Sequence, residues 1–371
     1  MTLQTNVMMA SSMPCDQWLS VDLYREDLAT ALRLHGGSFV PQIVIPNTGA
    51  ELPWYQKYKA RYLEYPNLLK RTYKQRINKT LLHVLDQSYG HLCKISMPTI
   101  VTCHDLSEYS YNADNPISLV LWKYRVNSMV NAQYVVCSSE NTANDVGRLI
   151  GVERDRIVVI PLAVSPNYRL INSIQATRSA LLGSPIQPVD TFVLLHVGTN
   201  IYRKNIPTLL EALSILDGRG YNVVLVKVGP SFWEDGYGEL IDRLKVSNLI
   251  HEVGLVSEDD LVKIYNSSDA LLFPSIFEGF GRPVVEAQAC GLPCVIASTS
   301  SLPEVGGPHS LYHAAADAPG LAAQVIKLIE APGLRKVIID SGLEYVKKFT
   351  MESYARQMTN VYKRAMSEFN G

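Results

Sequence analysis

An excess of charge of one sign is missing from this sequence: 34 Lys and Arg face 35 Asp and Glu, a net charge of −1. That balance argues against a nucleic-acid binder, whose domains are basic. Long hydrophobic runs are missing too. The longest apolar stretches, such as Phe192 to Val197 and Asn222 to Val228, are strand-sized and far short of the ~20 residues that a membrane span needs. The opening MTLQTNVMMASSMPCD has neither a basic start nor a long apolar core, so no secretory leader is expected. Six cysteines, at 15, 93, 103, 137, 290 and 294, make no dense framework and no paired CxxC pattern, which points to a reducing cytoplasm and to no metal site. Cys290 and Cys294 flank Gly-Leu-Pro, a helix stop followed by a strand, and read as small buried residues. No internal repeat or low-complexity tract appears, which removes solenoids and disordered tails.

What is present is length and a recurring pattern. The 371 residues, 47% of them apolar, suit two cores rather than one. In the second half, Phe192 to Val197, Val223 to Val228, Ile250 to Val253, Ala270 to Phe273 and Cys294 to Ala297 are short runs without alternation, as in parallel strands buried on both faces. Amphipathic helices lie between them. Ile206, Leu209, Leu210, Leu213 and Leu216 share one face behind Asn205 as a cap, and Leu261, Ile264 and Tyr265 follow the acidic start Glu258 to Asp260. The first half repeats the scheme, with strands at Val7 to Ala10, Gln42 to Ile45, Leu81 to Leu85, Thr99 to Thr102, Tyr134 to Val136 and Ile157 to Ile160, and a helix at Asp22 to Leu34. The expected class is α/β, with two doubly wound parallel sheets. The stretch Pro166 to Asp190 reads as the linker, and ligands are expected in a cleft facing the carboxyl ends of the strands.

The segment FPSIFEGFGRPVVEAQACGLPCVIA (Phe273 to Ala297) carries the most chemistry. A strand runs into a Gly-bearing loop, and a helix then opens at Arg282 and Pro283 and stops at Gly291. Gly279 and Gly281 let backbone approach a ligand, and the helix start favours an anion. Glu278 and Glu286 flank that place. A phosphate there repels both, so each is expected to reach past it to hydroxyl groups, a sugar on one side and a ribose on the other.

Glu278 and Glu286, separated by seven residues, closely resemble the signature of GT-B retaining glycosyltransferases of family 4, the glycosyl transferases of group 1. The likeness extends in order through VTCHDL (Val101 to Leu106), VVCSSENTANDV, IVVIPLAV, HVGTNIYRKNIPTLLEAL (His196 to Leu213), HEVGLVSEDDL, YNSSDALLFPS and SSLPEVGG. The resemblance implies two Rossmann-like domains: 1–170, binding the acceptor and completed by a C-terminal helix in 351–371, and 171–350, binding the nucleotide sugar. It implies that Glu286 holds the ribose and Glu278 the donor sugar. By the same resemblance, backbone amides of Gly279, Phe280, Gly281 and Arg282 face sugar and phosphate. Arg203 and Lys204 resemble the pair that grips the diphosphate, where fixed cations stabilise the charge growing on the leaving phosphate. Val256 resembles the position whose backbone meets the base, Glu258 lies near base or ribose, and His104 matches a histidine near the donor sugar. Asp105 and Asp86 are weaker acceptor-side candidates. No metal or other cofactor is implied beyond the donor substrate, a UDP- or GDP-sugar, and the base stays unread.

Two departures stand out. SSMPCDQWLSVDLYRED has no Gly where family members carry a glycine-rich loop, and Arg282 replaces a common aliphatic, open to phosphate, an acidic sugar or an anionic acceptor. Residues 54–79, WYQKYKARYLEYPNLLKRTYKQRINK, hold eight Lys or Arg against the single Glu64. They read either as a surface for anionic headgroups, placing the enzyme at the inner face of a membrane, or as a solvated helix face. Three rivals compete. A dehydrogenase fails on the missing third Gly and the absent acidic residue after Cys294 to Ala297; an epimerase of the same architecture and a silent nucleotide-sugar-binding subunit stay open.

Overall fold

The computed structural model describes residues 4–75, 79–108, 116–171 and 191–369. The chain divides into two compact units, Met1–Ala163 with Thr350–Gly371, and Val164–Phe349. The first is built on a six-stranded sheet of order β2-β1-β3-β4-β5-β6, from β1 (Thr5–Ala10), β2 (Phe39–Ile43), β3 (Thr80–Val84), β4 (Thr99–Cys103), β5 (Tyr134–Cys137) and β6 (Ile157–Val159). Every pairing is parallel. Helices cover both faces, as a parallel sheet requires. On one face, Tyr24 and Leu28 of the Leu19–His35 helix pack with Tyr354, Met358 and Tyr362 of the Met351–Phe369 helix against Met9 and Ile100. On the other, Tyr65 and Leu69 pack with Tyr89, Trp122 and Val126 against Met8 and Val101.

The second unit has β7 (Phe192–Val197), β8 (Val223–Val228), β9 (Ile250–Gly254), β10 (Ala270–Phe273), β11 (Cys294–Ala297) and β12 (Leu311–His313) in the order β12-β11-β10-β7-β8-β9. All are parallel. Counted within the unit this is the order 3-2-1-4-5-6 of a dinucleotide-binding sheet, whose connections reverse direction between β7 and β10. A crevice opens at such a reversal, beyond the carboxyl ends of those two strands. Whatever follows β7 and β10 in sequence is therefore brought together there.

The expected α/β class with two doubly wound parallel sheets is what the chain forms. Differences from the sequence reading are local. β2 begins three residues before the expected Gln42, because Pro41 is tolerated: β2 is an edge strand, and an edge leaves room for a residue without an amide hydrogen. β12 has only three residues and was not anticipated. Asn205 does not cap its helix by side chain: it is left-handed at φ 55°, and its amide donates to the Pro274 carbonyl at 3.2 Å. Of the expected linker, 172–190 lie outside the described residues. Its first part packs on the second unit, where the Ile171 amide donates to Asn266 Oδ1 at 2.8 Å. All six cysteines are free and buried.

Candidate active site

The loop after β7 ends in a short turn, Tyr202–Lys204, and the loop after β10 carries Glu278. At the sheet's reversal point these meet. Arg203 Nη1 donates to Glu278 Oε2 at 2.7 Å, and Lys204 Nζ donates to Glu278 Oε1 at 2.6 Å. Arg203 also donates to the Phe277 carbonyl at 3.2 Å, and the Lys204 ammonium stands 4.6 Å from the centre of the Phe273 ring. Glu278 is 5% exposed and Lys204 7%. Burial pushes the Glu278 carboxyl up, but Lys204 and Arg203 outweigh it and hold it below the ordinary carboxylate range. The loop is fixed by two serines. Ser300 Oγ accepts from the Glu278 amide at 2.9 Å, and Ser301 Oγ donates to the carbonyls of Glu278 and Phe280, both at 2.9 Å.

A few residues on, Gly281 precedes the Arg282–Ala289 helix at φ 105°, a conformation open to glycine. No side chain caps this helix start, and Pro283 brings no amide hydrogen of its own. One turn inside, Glu286 is 7% exposed and accepts from the Tyr265 hydroxyl at 2.9 Å on Oε2, while Arg282 Nε lies 3.6 Å from its Oε1. Burial and the Glu286 charge push the Tyr265 hydroxyl well above its usual pKa, so it stays a donor. Arg282, read from the sequence as open to phosphate, an acidic sugar or an anionic acceptor, here faces Glu286 of its own helix, which is none of the three.

Glu258, exposed and first in its helix, accepts from Ser165 Oγ at 2.9 Å and Asn167 Nδ2 at 3.0 Å. Tyr168, from the stretch read as linker, packs edge-on against Tyr265 at 5.9 Å. Val256 lies partly buried in the loop between β9 and the Glu258–Ser267 helix. The Phe280 ring is buried edge-on against Phe349 at 5.8 Å, so only its backbone serves the loop. Gly279 sits between Glu278 and Phe280 in the same loop.

Sequence reasoning passed over Lys227, which stands in the otherwise apolar VVLVKV of β8 and pairs in register with His196. A lysine amid valines was the visible signal. Its ammonium donates to the Gly198 carbonyl at 2.6 Å and the Val228 carbonyl at 3.1 Å, and burial lowers its pKa to about 8. It thus anchors the start of the loop that ends in Arg203 and Lys204. Gly229 permits this: a Cβ there would lie 2.3 Å from the Gly198 carbonyl oxygen.

In the first unit, His104 follows β4. Its Nε2 lies 2.9 Å from the Leu85 carbonyl and its amide donates to Gln87 Oε1 at 2.9 Å. Asp105 Oδ1 accepts from Ser107 Oγ at 2.6 Å. Asp86 caps the next helical turn and is buried, which raises its pKa against the pull of His104. The Gly-free loop after β1 is held through Asp16: Asp16 Oδ2 accepts from the Met13 amide at 3.1 Å and from the Tyr89 hydroxyl, and Asp16 Oδ1 from Arg61 at 2.5 Å. The basic stretch forms a helix from Trp54 to Lys74 with a π turn at Ala60–Glu64, where a wider turn suits Pro66. Trp54 is 77% and Leu63 60% exposed, whereas Arg61 turns inward. Residues 76–78 of that stretch lie outside the described residues.

Residues 183–344 match the family described as Glycosyl transferases group 1, and residues 25–168 match Glycosyltransferase Family 4. The chain is 29% identical over 272 residues to O-antigen chain mannosyltransferase B of Escherichia coli, covering 71% of this chain and 70% of that one. In fold it is similar to sucrose-phosphate synthase of Thermosynechococcus elongatus, with TM-score 0.80 and 18% identity over 98% of this chain and 100% of that one. It is also similar to Anabaena HepE in complex with UDP and glucose, with TM-score 0.76 and 17% identity over 97% and 100%. Among the described residues no helix is long and apolar enough to cross a membrane. The chain is a GT-B glycosyltransferase and belongs to family 4, the glycosyl transferases of group 1.

Proposed function

We propose that this glycosyltransferase is a retaining hexosyltransferase that moves a mannosyl unit from a UDP- or GDP-sugar to a hydroxyl of a growing glycan. The observation that carries the reading is the buried carboxylate of Glu278 bridging Arg203 and Lys204 at the reversal point of the second sheet. Two cations held 2.6 and 2.7 Å from one anion are pre-organised for phosphate oxygens. As the bond from the anomeric carbon to the diphosphate breaks, charge grows on the leaving oxygen, and these cations stabilise the transition state above the ground state. The acceptor oxygen bonds to the anomeric carbon from the same face, and its proton passes to the departing phosphate. Glu286, held by Tyr265 and facing Arg282, takes the ribose. Glu278 takes donor-sugar hydroxyls, and Val256 with Glu258 borders the base. Backbone of Gly279 to Arg282 faces sugar and phosphate. His104 serves the donor sugar from residues 1–170, which with 351–371 present the acceptor, while 171–350 hold the donor.

The relatives favour mannose as the first donor sugar to try. UDP-glucose, GDP-mannose and ADP-glucose are offered with a mannoside acceptor, and release of nucleoside diphosphate and the linkage formed are followed. The expected outcome is turnover with one donor and an α linkage, and a loss of roughly 10²-fold in kcat for Lys204→Ala. The reading fails if Lys204→Ala and Glu286→Ala leave donor binding and turnover intact. Altered sugar without free diphosphate identifies an epimerase, and a thermal shift without turnover identifies a binding subunit.

The helix from Trp54 to Lys74 adds a second, separable part of the reading. Exposed Trp54, Tyr55 and Leu63 beside Lys59, Lys70, Arg71 and Lys74 suit an anionic lipid surface, which supports reading the enzyme as peripheral at the inner face of a membrane.

A further inference from the structure

His104 is held by one hydrogen bond and one ring. The Leu85 carbonyl can only accept, so His104 Nε2 carries the proton and Nδ1 is the nitrogen that keeps an open lone pair. A single bond to Leu85 leaves the imidazole free to turn about the N–H···O axis. The Tyr24 ring stops that turn: it stands edge-on, with centroids 4.6 Å apart and planes at 83°. Tyr24 is itself fixed by an unbroken chain. Its hydroxyl is 2.8 Å from Thr102 Oγ1, Thr102 Oγ1 is 2.8 Å from His83 Nε2, and His83 Nδ1 is 2.9 Å from the Tyr362 hydroxyl. Thr102 lies in β4, two residues before His104, which follows the strand, and Tyr362 belongs to the Met351–Phe369 helix.

All four links are buried, with Tyr24 at 3%, Thr102 at 1% and His83 and Tyr362 at 0% exposed. A chain of polar groups in a core costs more than apolar filling unless every member is paired, and once paired it fixes one arrangement. Burial pushes Tyr24 up to about 12 and His83 down to about 3, so the chain stays neutral and acts by geometry.

We propose that Tyr24 is a positioning residue for His104, pinned through Thr102 and His83 to Tyr362 of the C-terminal helix, so that the imidazole presents Nδ1 in one orientation. The proposal rests on the role of His104 at the donor sugar, and its test separates the two. The full chain is labelled with ¹⁵N-histidine, and the His104 signals are identified by their loss in His104→Gln. The wild type is expected to show the Nε2–H tautomer. Tyr24→Leu, which removes the ring, is expected to mix the tautomers or broaden the signals. It should also lower kcat for hydrolysis of GDP-mannose or UDP-glucose, whichever turns over, roughly tenfold at unchanged donor KM.

Thr102→Val, which keeps shape and removes the hydroxyl, moves both readouts the same way by less, and Tyr24→Phe matches it. Wild-type His104 signals and wild-type kcat in a folded Tyr24→Leu overturn the proposal. If that variant does not fold, the same result in both Thr102→Val and Tyr24→Phe overturns it. Changed signals with unchanged kcat also overturn it when His104→Gln is impaired. If His104→Gln turns over normally while Tyr24→Leu alters the signals, positioning stands and the role of His104 falls.

Discussion

Glu278, itself buried, must satisfy buried Lys204 and half-buried Arg203, and that demand sets the energetics of the site. Removing one partner of a buried ionic cluster leaves uncompensated charge, a loss of about 3–5 kcal/mol. Glu278→Ala is therefore expected to lower the unfolding temperature of the second unit more than an ordinary surface change does. A nucleoside diphosphate restores an anion to Arg203 and Lys204, so the variant should gain more thermal stability from GDP or UDP than the wild type gains. Calorimetry of both chains with and without nucleotide checks this. Equal nucleotide shifts for variant and wild type remove the link between Glu278 and the phosphate cations. In acid the sign is fixed by the lowered carboxyl: its contribution is complete above the ordinary value near 4.5 and is lost as pH falls through the depressed one.

At the scale of elements, apolar runs and helical faces marked out most strands and many of the helices, because strands buried on both faces have few alternatives. What they left obscure has physical causes. Pro41 disguised an edge strand, and three-residue β12 is too short to show a period. Tyr265 sat on an apolar helix face, where core packing hid the hydroxyl that grips Glu286. Glu278 lies more than seventy residues beyond Arg203 and Lys204, and only the sheet's strand order makes them neighbours; the family resemblance, not spacing, joined them in the sequence. Composition did mark the Trp54–Lys74 helix, but not that Arg61 leaves its surface to pair with Asp16. With Arg61 spent, the remaining cations contribute about 1 kcal/mol each at an anionic surface and are screened by salt. Flotation with phosphatidylglycerol vesicles at low salt is expected to carry the enzyme, less so at 0.5 M salt and much less for Trp54→Ala combined with Lys70→Glu and Arg71→Glu. Absence of flotation at any salt ends the membrane reading.

Across the whole molecule each unit carries two buried histidines whose pKa burial lowers, and this predicts acid lability in both. In the first unit burial lowers His83 to about 3 and His91 to about 4; in the second it lowers His196 to about 3 and also lowers His313. Unfolded, each returns to an ordinary value near 6.5. Between roughly 6.5 and 4 the unfolded chain therefore binds protons that the folded chain refuses, so stability is complete above that window and falls as pH is lowered through it. Two such groups make the first unit lose about 2.7 kcal/mol per pH unit in the middle of the window, and His196 with His313 give the second unit the same sign of dependence. Trp18, Trp54 and Trp122 lie in the first unit and Trp233 in the second, so a Trp233→Phe chain reports the first alone. Urea unfolding of that chain by tryptophan fluorescence at pH 7 and pH 5.5 should show a clearly lower midpoint in acid. A Trp18→Phe/Trp54→Phe/Trp122→Phe chain, reporting the second unit, should shift in the same direction. A first-unit midpoint that does not move between the two pH values contradicts the burial of neutral His83 and His91, and with it the neutral chain that holds Tyr24 against His104.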